Sequence, residues 1–573
     1  MRYLALAADY DGTLAHDGVV APHVIEGLQR LAASGRKLLL VTGRELDELL
    51  GIFPEITLFD RVVAENGALL YRPRTNERHL LTAEPPQVFI DELRRRRVPL
   101  SVGSSIVATV RPHETAVLET IRDLGLELQV IFNKGAVMVL PASVNKATGL
   151  LEALKELGLS LHNVVAVGDG ENDHAMLDAA EFSTAVANAV PFLQEKADFI
   201  TQRTHGDGVL ELIDGLLAND LADKIGRQRR FIVLGHDLKG GSIQVPPANF
   251  SMLIAGPSGS GKSTLTSGII EELSDQKYQW CVIDPEGDHD DSHDAVIFGT
   301  SNRAPSADEI VAALEKPDVN LVINLTGVSE RDRPAFFDSL LPRLKEVRAQ
   351  TGRPHWIVVE EAHHLLPPER PATAARLFDD FTGIVYVTVS PASITATVLK
   401  SVSIAAALGD GAGATLTEFA RHGGVSIPQS SAEVKDGEAL LWLRGGDENP
   451  RAIRFRAAKA DRAQHRRKYA EGELPPDRSF FFRGPESKLK LRAQNLLLFN
   501  QIADGVDADT WLYHLRQGDY SNWLRTSIHD QTLADEVAAI ERREAPDAEE
   551  TRRLIRSAIE QHYTLPASGH ERA

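Results

Sequence analysis

The chain has 573 residues, 43% of them hydrophobic and 25% charged, with a net charge of −19 and one cysteine. That length exceeds one ordinary domain and suggests several compact units, and the composition excludes a disordered, collagenous or disulfide-framed protein. The acidic balance disfavours adventitious binding to nucleic acid or anionic lipid, no apolar run reaches the roughly eighteen residues of a membrane span, and Asp9 interrupts the first apolar run too early for a signal peptide, so a cytoplasmic protein without membrane partners is expected.

Residues 1–222 alternate short apolar runs, YLALAADYD, KLLLVTG, RVVAEN and NVVAVGDG, with helix-like stretches. The rhythm predicts a mostly parallel sheet flanked by helices, with chemistry at the strand ends. Between about 80 and 143 the pattern changes to SVGSSIVATVRP, ETAVLETIRDLG and AVMVLPASVNK, an α/β insert large enough to be a cap. DYDGT sets Asp9 and Asp11 two apart after the first run, where one carboxylate can attack phosphorus and the other handle the leaving-group proton. Alone, such a pair more often sits in solvent. Its company strengthens the reading: Thr42 ends the second run, NKATGL supplies Lys146, and VAVGDGENDHAML supplies Asp169 and Asp173.

In that order, with ENGALLY at 65–71, these motifs resemble the haloacid dehalogenase superfamily, in its Cof-like branch with an α/β cap. The resemblance implies a Rossmann-like hydrolase domain acting on a phosphorylated small molecule. Asp9 would be the nucleophile that forms an aspartyl-phosphate, and Asp11 the acid that protonates the leaving oxygen and then activates water. Thr42 and Gly43 would bind the phosphoryl group, and Lys146 would neutralise its charge. Asp169, helped by Asp173, would hold Mg²⁺ together with Asp9 and the backbone carbonyl of Asp11.

Residues 223–249 are polar, basic and then rich in Gly and Pro, and mark a junction and the entry to a second α/β unit over 250–458. There SMLIA reads as a strand, GPSGSGKST as a phosphate-wrapping loop and TLTSGIIEEL as a helix start, an arrangement that satisfies G-x-x-x-x-G-K-[ST] in its proper context. Gly256, Pro257, Ser258, Gly259, Ser260 and Gly261 would form the loop around the phosphates of ATP, its glycines letting backbone N–H groups approach them. Lys262 would reach the β and γ groups, and Ser263, followed by Thr264, would ligate Mg²⁺. Further strands are expected in WCVIDPEG, NLVINLTG, HWIVVEEAHHLL, GIVYVTVS and ALLWLRGG. HWIVVEE ends an apolar strand in two acids: Glu360 would support the Mg²⁺ shell and Glu361 act as base towards water. A kinase has less need of the second acid, and no LSGGQ-like signature supports a transporter. His363 and His364 are adjacent, point apart on a helix, and read as polar residues near the site rather than metal ligands.

With VIDPEGDH at 282–289, these residues resemble the HerA/FtsK group of RecA-like P-loop ATPases over about 230–458. Glu360 stands where that group usually has Asp, and Ser390 where a sensor Gln is common. The resemblance implies DNA and a homo-oligomeric ring as partners, with an arginine finger for which Arg421 and Arg444 are the candidates. Residues 459–573 are charged and helix-favouring and read as a small helical domain, in which Trp511, Leu515 and Trp523 belong to a core. The basic run RAIRFRAAKADRAQHRRKYAEG and the acid- and histidine-rich EGDHDDSHD read as solvated segments. Three functions remain open: a metabolic phosphatase regulated by ATP, a DNA-dependent ATPase or translocase with an end-trimming phosphatase, and a P-loop polynucleotide kinase-phosphatase.

Overall fold

A computed structural model describes residues 1–133, 135–224, 230–248, 250–289, 294–369, 382–426, 433–435, 437–444, 449–456, 474, 478–485, 488–528, 530–543 and 547–563. Most of the basic run after 456 and the middle of EGDHDDSHD lie outside them. The described residues divide into two compact units: Met1–Arg230 with Glu315–Pro317 and Glu346–Arg353, and the rest.

In the first unit the strands are β1 (Ala5–Ala8), β2 (Lys37–Val41), β3 (Arg61–Ala64), β4 (Leu69–Arg72), β5 (Glu77–Leu80), β6 (Ser101–Val102), β7 (Val107–Val110), β8 (Leu128–Asn133), β9 (Ala136–Pro141), β10 (Val164–Gly168), β11 (Phe182–Ala185) and β12 (Phe199–Ile200). Among the described residues one sheet runs β12-β11-β10-β1-β2-β3-β4-β5, parallel from β12 to β3 and antiparallel beyond. Its central strands are buried on both faces, which is why they read as unbroken apolar runs rather than as alternation. Register then makes the site. Ala8 pairs with Val167 on one side and Leu40 on the other, so Asp9, Asp169 and Thr42 emerge at neighbouring carboxyl ends. Here the chain leaves β1 for opposite sides of the sheet, the switch point where open α/β sheets bind ligands. The cap elements form a separate antiparallel sheet, β6-β7-β9-β8, under helices Gln87–Arg95 and Glu114–Asp123.

The second unit holds β13 (Ile232–Asp237), β14 (Ser242–Val245), β15 (Ser251–Ala255), β16 (Trp280–Asp284), β17 (Ala295–Phe298), β18 (Asn320–Asn324), β19 (Trp356–Val359), β20 (Ile384–Thr388), β21 (Ile404–Leu408), β22 (Glu438–Leu443) and β23 (Arg451–Phe455). They order as β14-β13-β23-β22-β21-β15-β20-β19-β16-β18-β17. The β21-to-β17 side is parallel, and the β14-to-β22 side joins it antiparallel. The apolar runs expected to be strands supply β15, β16, β18, β19, β20 and β22. The stretch 223–249 also carries strands β13 and β14, whose apolar positions face the same core as the other strands of this sheet. Cys281 is buried in β16.

Downstream, helices Leu496–Gly505, Ala508–Gln517, Asp519–Thr526, Gln531–Glu541 and Ala548–Tyr563 pack around Trp511, Leu515, Tyr520 and Trp523. Asp507 caps the second of them by accepting the Thr510 N–H at 2.9 Å. These aromatic side chains are core, as their helical spacing suggests, and are closed off from stacking on a base.

Candidate active sites

The amino-terminal site is a charge cluster at the ends of β1, β2 and β10. Lys146 opens the helix Lys146–Glu156, whose capping box, Asn145 with Thr148, fixes its first turn. From there Lys146 Nζ donates to Asp9 Oδ1 at 2.5 Å and to Asp173 Oδ1 at 2.6 Å, with all three side chains buried. Burial opposes the lysine's charge, but Asp173 and Asp9 outweigh it and hold the ammonium above its ordinary range. Burial pushes the Asp9 carboxyl upward; the Asp173 charge adds to this, and Lys146 opposes it. A cation beside the carboxylates would favour their ionised form.

Ligand oxygens of Asp9, Asp169 and Asp173 lie within 4.8 Å of one another. Three buried carboxylates against one ammonium leave excess negative charge, and oxygen donors of this kind suit a hard divalent ion, so the residues fit Mg²⁺. Their availability differs. Asp173 Oδ2 accepts the N–H groups of Asp169 and Gly170, both at 2.9 Å, while its Oδ1 holds Lys146, so this residue braces the loop as well as the lysine. Asp169 is touched more loosely, by Thr13 Oγ1 at 3.3 Å and Asn188 Nδ2 at 3.4 Å. Asp11 stands apart from the cluster, with both carboxylate oxygens on Arg44. Thr42 is buried at the end of β2, its Oγ1 accepting the Arg44 N–H at 3.1 Å, and Gly43 follows beside Asn66 and Asn172.

Sequence reasoning missed Thr13, Arg44, Asn66, Asn172 and Asn188. Asn172 donates to Asn66 Oδ1 at 2.9 Å, tying the loop after β10 to the turn after β3, and Asn188 donates to Gly12 O at 2.8 Å, tying the loop after β11 to the turn after β1. ENG carried a local signal for part of this. Glu65 and Asn66 have φ of 52° and 53°, a left-handed turn that only a surrounding fold sustains. Gly67, at φ 108°, completes it because a Cβ there would lie 2.0 Å from the Asn145 carbonyl.

The second site sits at the end of β15. Gly256 passes so near the Leu408 carbonyl that a Cβ would come within 2.6 Å of it. Pro257, Ser258 and Gly259 are exposed, Ser260 and Gly261 half-buried, and Ser263 and Thr264 lie in the first turn of helix Lys262–Asp275. Lys262 Nζ is held by the carbonyls of Gly256 and Pro257 at 2.9 and 3.1 Å. Burial lowers its ammonium below the ordinary range, against the charges of Glu361, Glu360 and Glu286.

β20 lies between β15 and β19, and β19 delivers Glu360 and Glu361 at its end. Glu360 is buried, its Oε1 3.4 Å from His289 Nε2. Glu361 turns left-handed at φ 40° and points a buried Oε2 that makes no hydrogen bond among the described residues, with His363 Nδ1 3.4 Å away. Burial pushes its carboxyl up to about 7, with Lys262 opposing. A polar atom orphaned in this way marks where a water or ligand atom belongs. His363 and His364 follow in a single 3-10 turn with their rings 4.3 Å apart and tilted by 34°, so they lie against each other and do not point apart as on the expected helix. The Ser390 hydroxyl donates to Glu418 at 2.7 Å. Arg444 is held by the Lys400 and Val402 carbonyls, and Arg421 is exposed.

Residues 6–105 and 109–213 match the haloacid dehalogenase-like hydrolase family, residues 245–363 the central domain of helicase HerA, and residues 489–571 a family of unknown function. Phosphoglycolate phosphatase 2 of Saccharolobus solfataricus is 30% identical over 235 residues, 39% of this chain and 96% of that protein. Phosphoglycolate phosphatase of Methanothermobacter thermautotrophicus is 33% identical over 218 residues, 36% of this chain and 96% of that protein. The crystal structure of a haloacid dehalogenase-like hydrolase from Bacteroides thetaiotaomicron is 20% identical, covers 37% of this chain and 99% of that one, and superposes with a TM-score of 0.34. Among the described residues no helix is long and apolar enough to cross a membrane.

Proposed function

The chain belongs to the haloacid dehalogenase-like hydrolases through its amino-terminal domain, and on that premise we propose that residues 1–222 cleave a small phosphomonoester with Asp9 as nucleophile, while residues 250–458 bind and hydrolyse ATP. The observation that carries the phosphatase reading is Asp9 buried at a strand end with Lys146 on one oxygen and Asp169 beside it.

Asp9 attacks phosphorus as the bond to the leaving oxygen breaks, and Asp11 supplies that oxygen's proton. Water, deprotonated by Asp11, then releases phosphate from Asp9. Thr42 and Gly43 orient the phosphoryl oxygens, and Lys146 offsets their charge. Asp9 and Asp169, with Asp173 beside them and the Asp11 carbonyl, would hold Mg²⁺, which supplies further positive charge against those oxygens when bound. The names of the relatives make phosphoglycolate the first substrate to assay. A cytoplasmic location follows from where ATP and small phosphate esters are found.

In the second site Lys262 and the loop N–H groups would hold the phosphates, Ser263 and Glu360 would hold Mg²⁺, and Glu361 would take a proton from water. The match to the HerA central domain supports a second reading of this part, in which DNA stimulates hydrolysis and the subunits form a ring. A panel of phosphate esters, phosphoglycolate first, assayed with and without Mg²⁺, tests the phosphatase. Turnover in the wild type that vanishes in Asp9→Asn supports it, and equal turnover in both sinks it. ATP hydrolysis measured with and without DNA over a salt series decides between the two readings of the P-loop unit, since a DNA effect weakens as salt rises.

A further inference from the structure

The P-loop pocket is over-supplied with acid. Asp284, Glu286 and Glu360 all act electrostatically on Glu361, and Lys262 opposes them there. A polyphosphate entering such a pocket meets repulsion from every carboxylate left uncompensated.

Glu286 is the acid of this group that reaches a guanidinium. It lies in the turn after β16, where Asp284 Oδ1 accepts the N–H groups of Glu286 and Gly287 at 3.1 and 2.8 Å, and Asp284 Oδ2 accepts that of His289 at 2.8 Å. Among the described residues, His364 Nε2 lies 3.9 Å and Arg478 Nη1 3.5 Å from its Oε1. Burial holds the His364 imidazole below its ordinary range, so at neutral pH Arg478 carries the charge of the two. Arg478 comes from the segment that leads into the helical domain, and that domain's core sets its place. Its carbonyl accepts the Trp523 Nε1–H at 2.9 Å, and its Nη2 donates to the Ser527 carbonyl, just past the end of helix Asp519–Thr526, at 3.0 Å. The guanidinium thus has one edge bound to the helical domain and the other turned to the loop of the ATP site.

We propose that Arg478 is a positioning residue of the P-loop site: it compensates Glu286, so that nucleotide affinity depends on the helical domain being docked. The helical domain would thereby register nucleotide through one ion pair, and by reciprocity nucleotide would tighten the docking. This coupling rests on the nucleotide reading of the P-loop unit.

The test is a double-mutant cycle in the full-length protein, titrating a fluorescent ADP analogue with Mg²⁺. Arg478→Ala is expected to weaken binding about tenfold, the order expected for one uncompensated carboxylate near a polyphosphate. Arg478→Lys keeps most of the affinity. Glu286→Gln binds at least as tightly as wild type, and in that background Arg478→Ala changes affinity less than about twofold. Under turnover Arg478→Ala raises the KM for ATP and leaves kcat within about twofold. An equal loss in both backgrounds, or wild-type affinity in Arg478→Ala, overturns the coupling alone. Absence of binding by the wild type overturns the nucleotide reading and the coupling with it. Should Arg478→Ala fail to fold, Glu286→Gln still decides, because a loss of affinity there contradicts an acid that needs compensation.

Discussion

Arg44 grips both oxygens of Asp11, with Nε 2.6 Å from Oδ2 and Nη2 2.7 Å from Oδ1, and also reaches Glu48. A carboxylate proposed to protonate a leaving group is therefore parked on a guanidinium at the rim of the site, and must turn from it to act. Arg44 would set where Asp11 waits. Asp11→Asn, which has no proton to give, is expected to lower kcat by about 10²- to 10⁴-fold. Arg44→Ala should cost about tenfold, as should Arg44→Lys, whose ammonium cannot bridge both oxygens. In the Asp11→Asn background the Arg44 change should add little, since both act through one group. Steady-state kinetics on the four proteins checks this, and undiminished loss in the double variant refutes it.

The cap is tied to the catalytic sheet by Glu65. Its carboxylate accepts the N–H groups of Ser104, Ser105 and Ile106 at 3.0, 2.8 and 3.2 Å, all between β6 and β7 of the cap. Charge-assisted bonds to backbone donors are among the stronger neutral-pH contacts. Glu65→Ala leaves three partly buried N–H groups without that acceptor. Hydrogen exchange across 103–107 is expected to rise by about tenfold or more, with KM increased while kcat stays within a few-fold. Unchanged exchange there would show that the cap is held by other contacts.

The positions of the candidate site residues at strand ends were legible because each follows an unbroken apolar run: Asp9 after β1, Thr42 after β2, Asp169 after β10, and Glu360 after β19. Burial on both faces of a parallel sheet writes that signal into the sequence. The P-loop was legible because its chemistry is local, six residues between a strand and a helix. What the sequence hid depends on partners far apart in the chain. Arg44 meets Asp11 from 33 positions away, and Asn172 meets Asn66 from 106. No spacing rule connects such pairs. The stretch 231–245 hid for another reason: its Gly- and Pro-rich flanks carry the marks of a linker, while Ile232, Leu234, Ile243 and Val245 between them are core.

Acid should loosen the first unit through Glu181. This buried carboxylate pairs with Arg2 and lies 2.7 Å from His162 Nδ1. Burial alone would raise it, but the His162 hydrogen bond and the Arg2 charge outweigh that and hold it well below the ordinary carboxylate value of about 4.3. A depressed carboxyl contributes stability that is fully present above the unfolded value and lost as pH falls through the folded one. Glu181→Gln should therefore cost about 3 kcal/mol at pH 7, the scale of a broken buried pair, and the gap to wild type should narrow below about pH 4. All five tryptophans, Trp280, Trp356, Trp442, Trp511 and Trp523, lie beyond residue 230, so their fluorescence is blind to this unit. Hydrogen exchange of β10 and β11 reads it instead, and a gap that stays constant as pH falls below about 4 is the contrary result.

Glu361 separates binding from hydrolysis. It follows Glu360 at the end of β19, but its left-handed turn sends it a different way, with Oε2 buried, making no hydrogen bond among the described residues and lying 3.4 Å from His363 Nδ1. Lys262, by contrast, is already held by two carbonyls of its own loop, which phosphate oxygens would displace. If Glu361 receives a proton from the attacking water, Glu361→Gln keeps the shape and loses the base. Hydrolysis should fall about 10²- to 10⁴-fold while nucleotide affinity changes less than about threefold. Lys262→Ala should do the reverse of that separation and lose affinity first, because it removes the charge that meets the β and γ groups. Nucleotide titration beside single-turnover hydrolysis distinguishes the two. Were Glu361→Gln to lose affinity in step with rate, its carboxylate would be holding the nucleotide rather than the water.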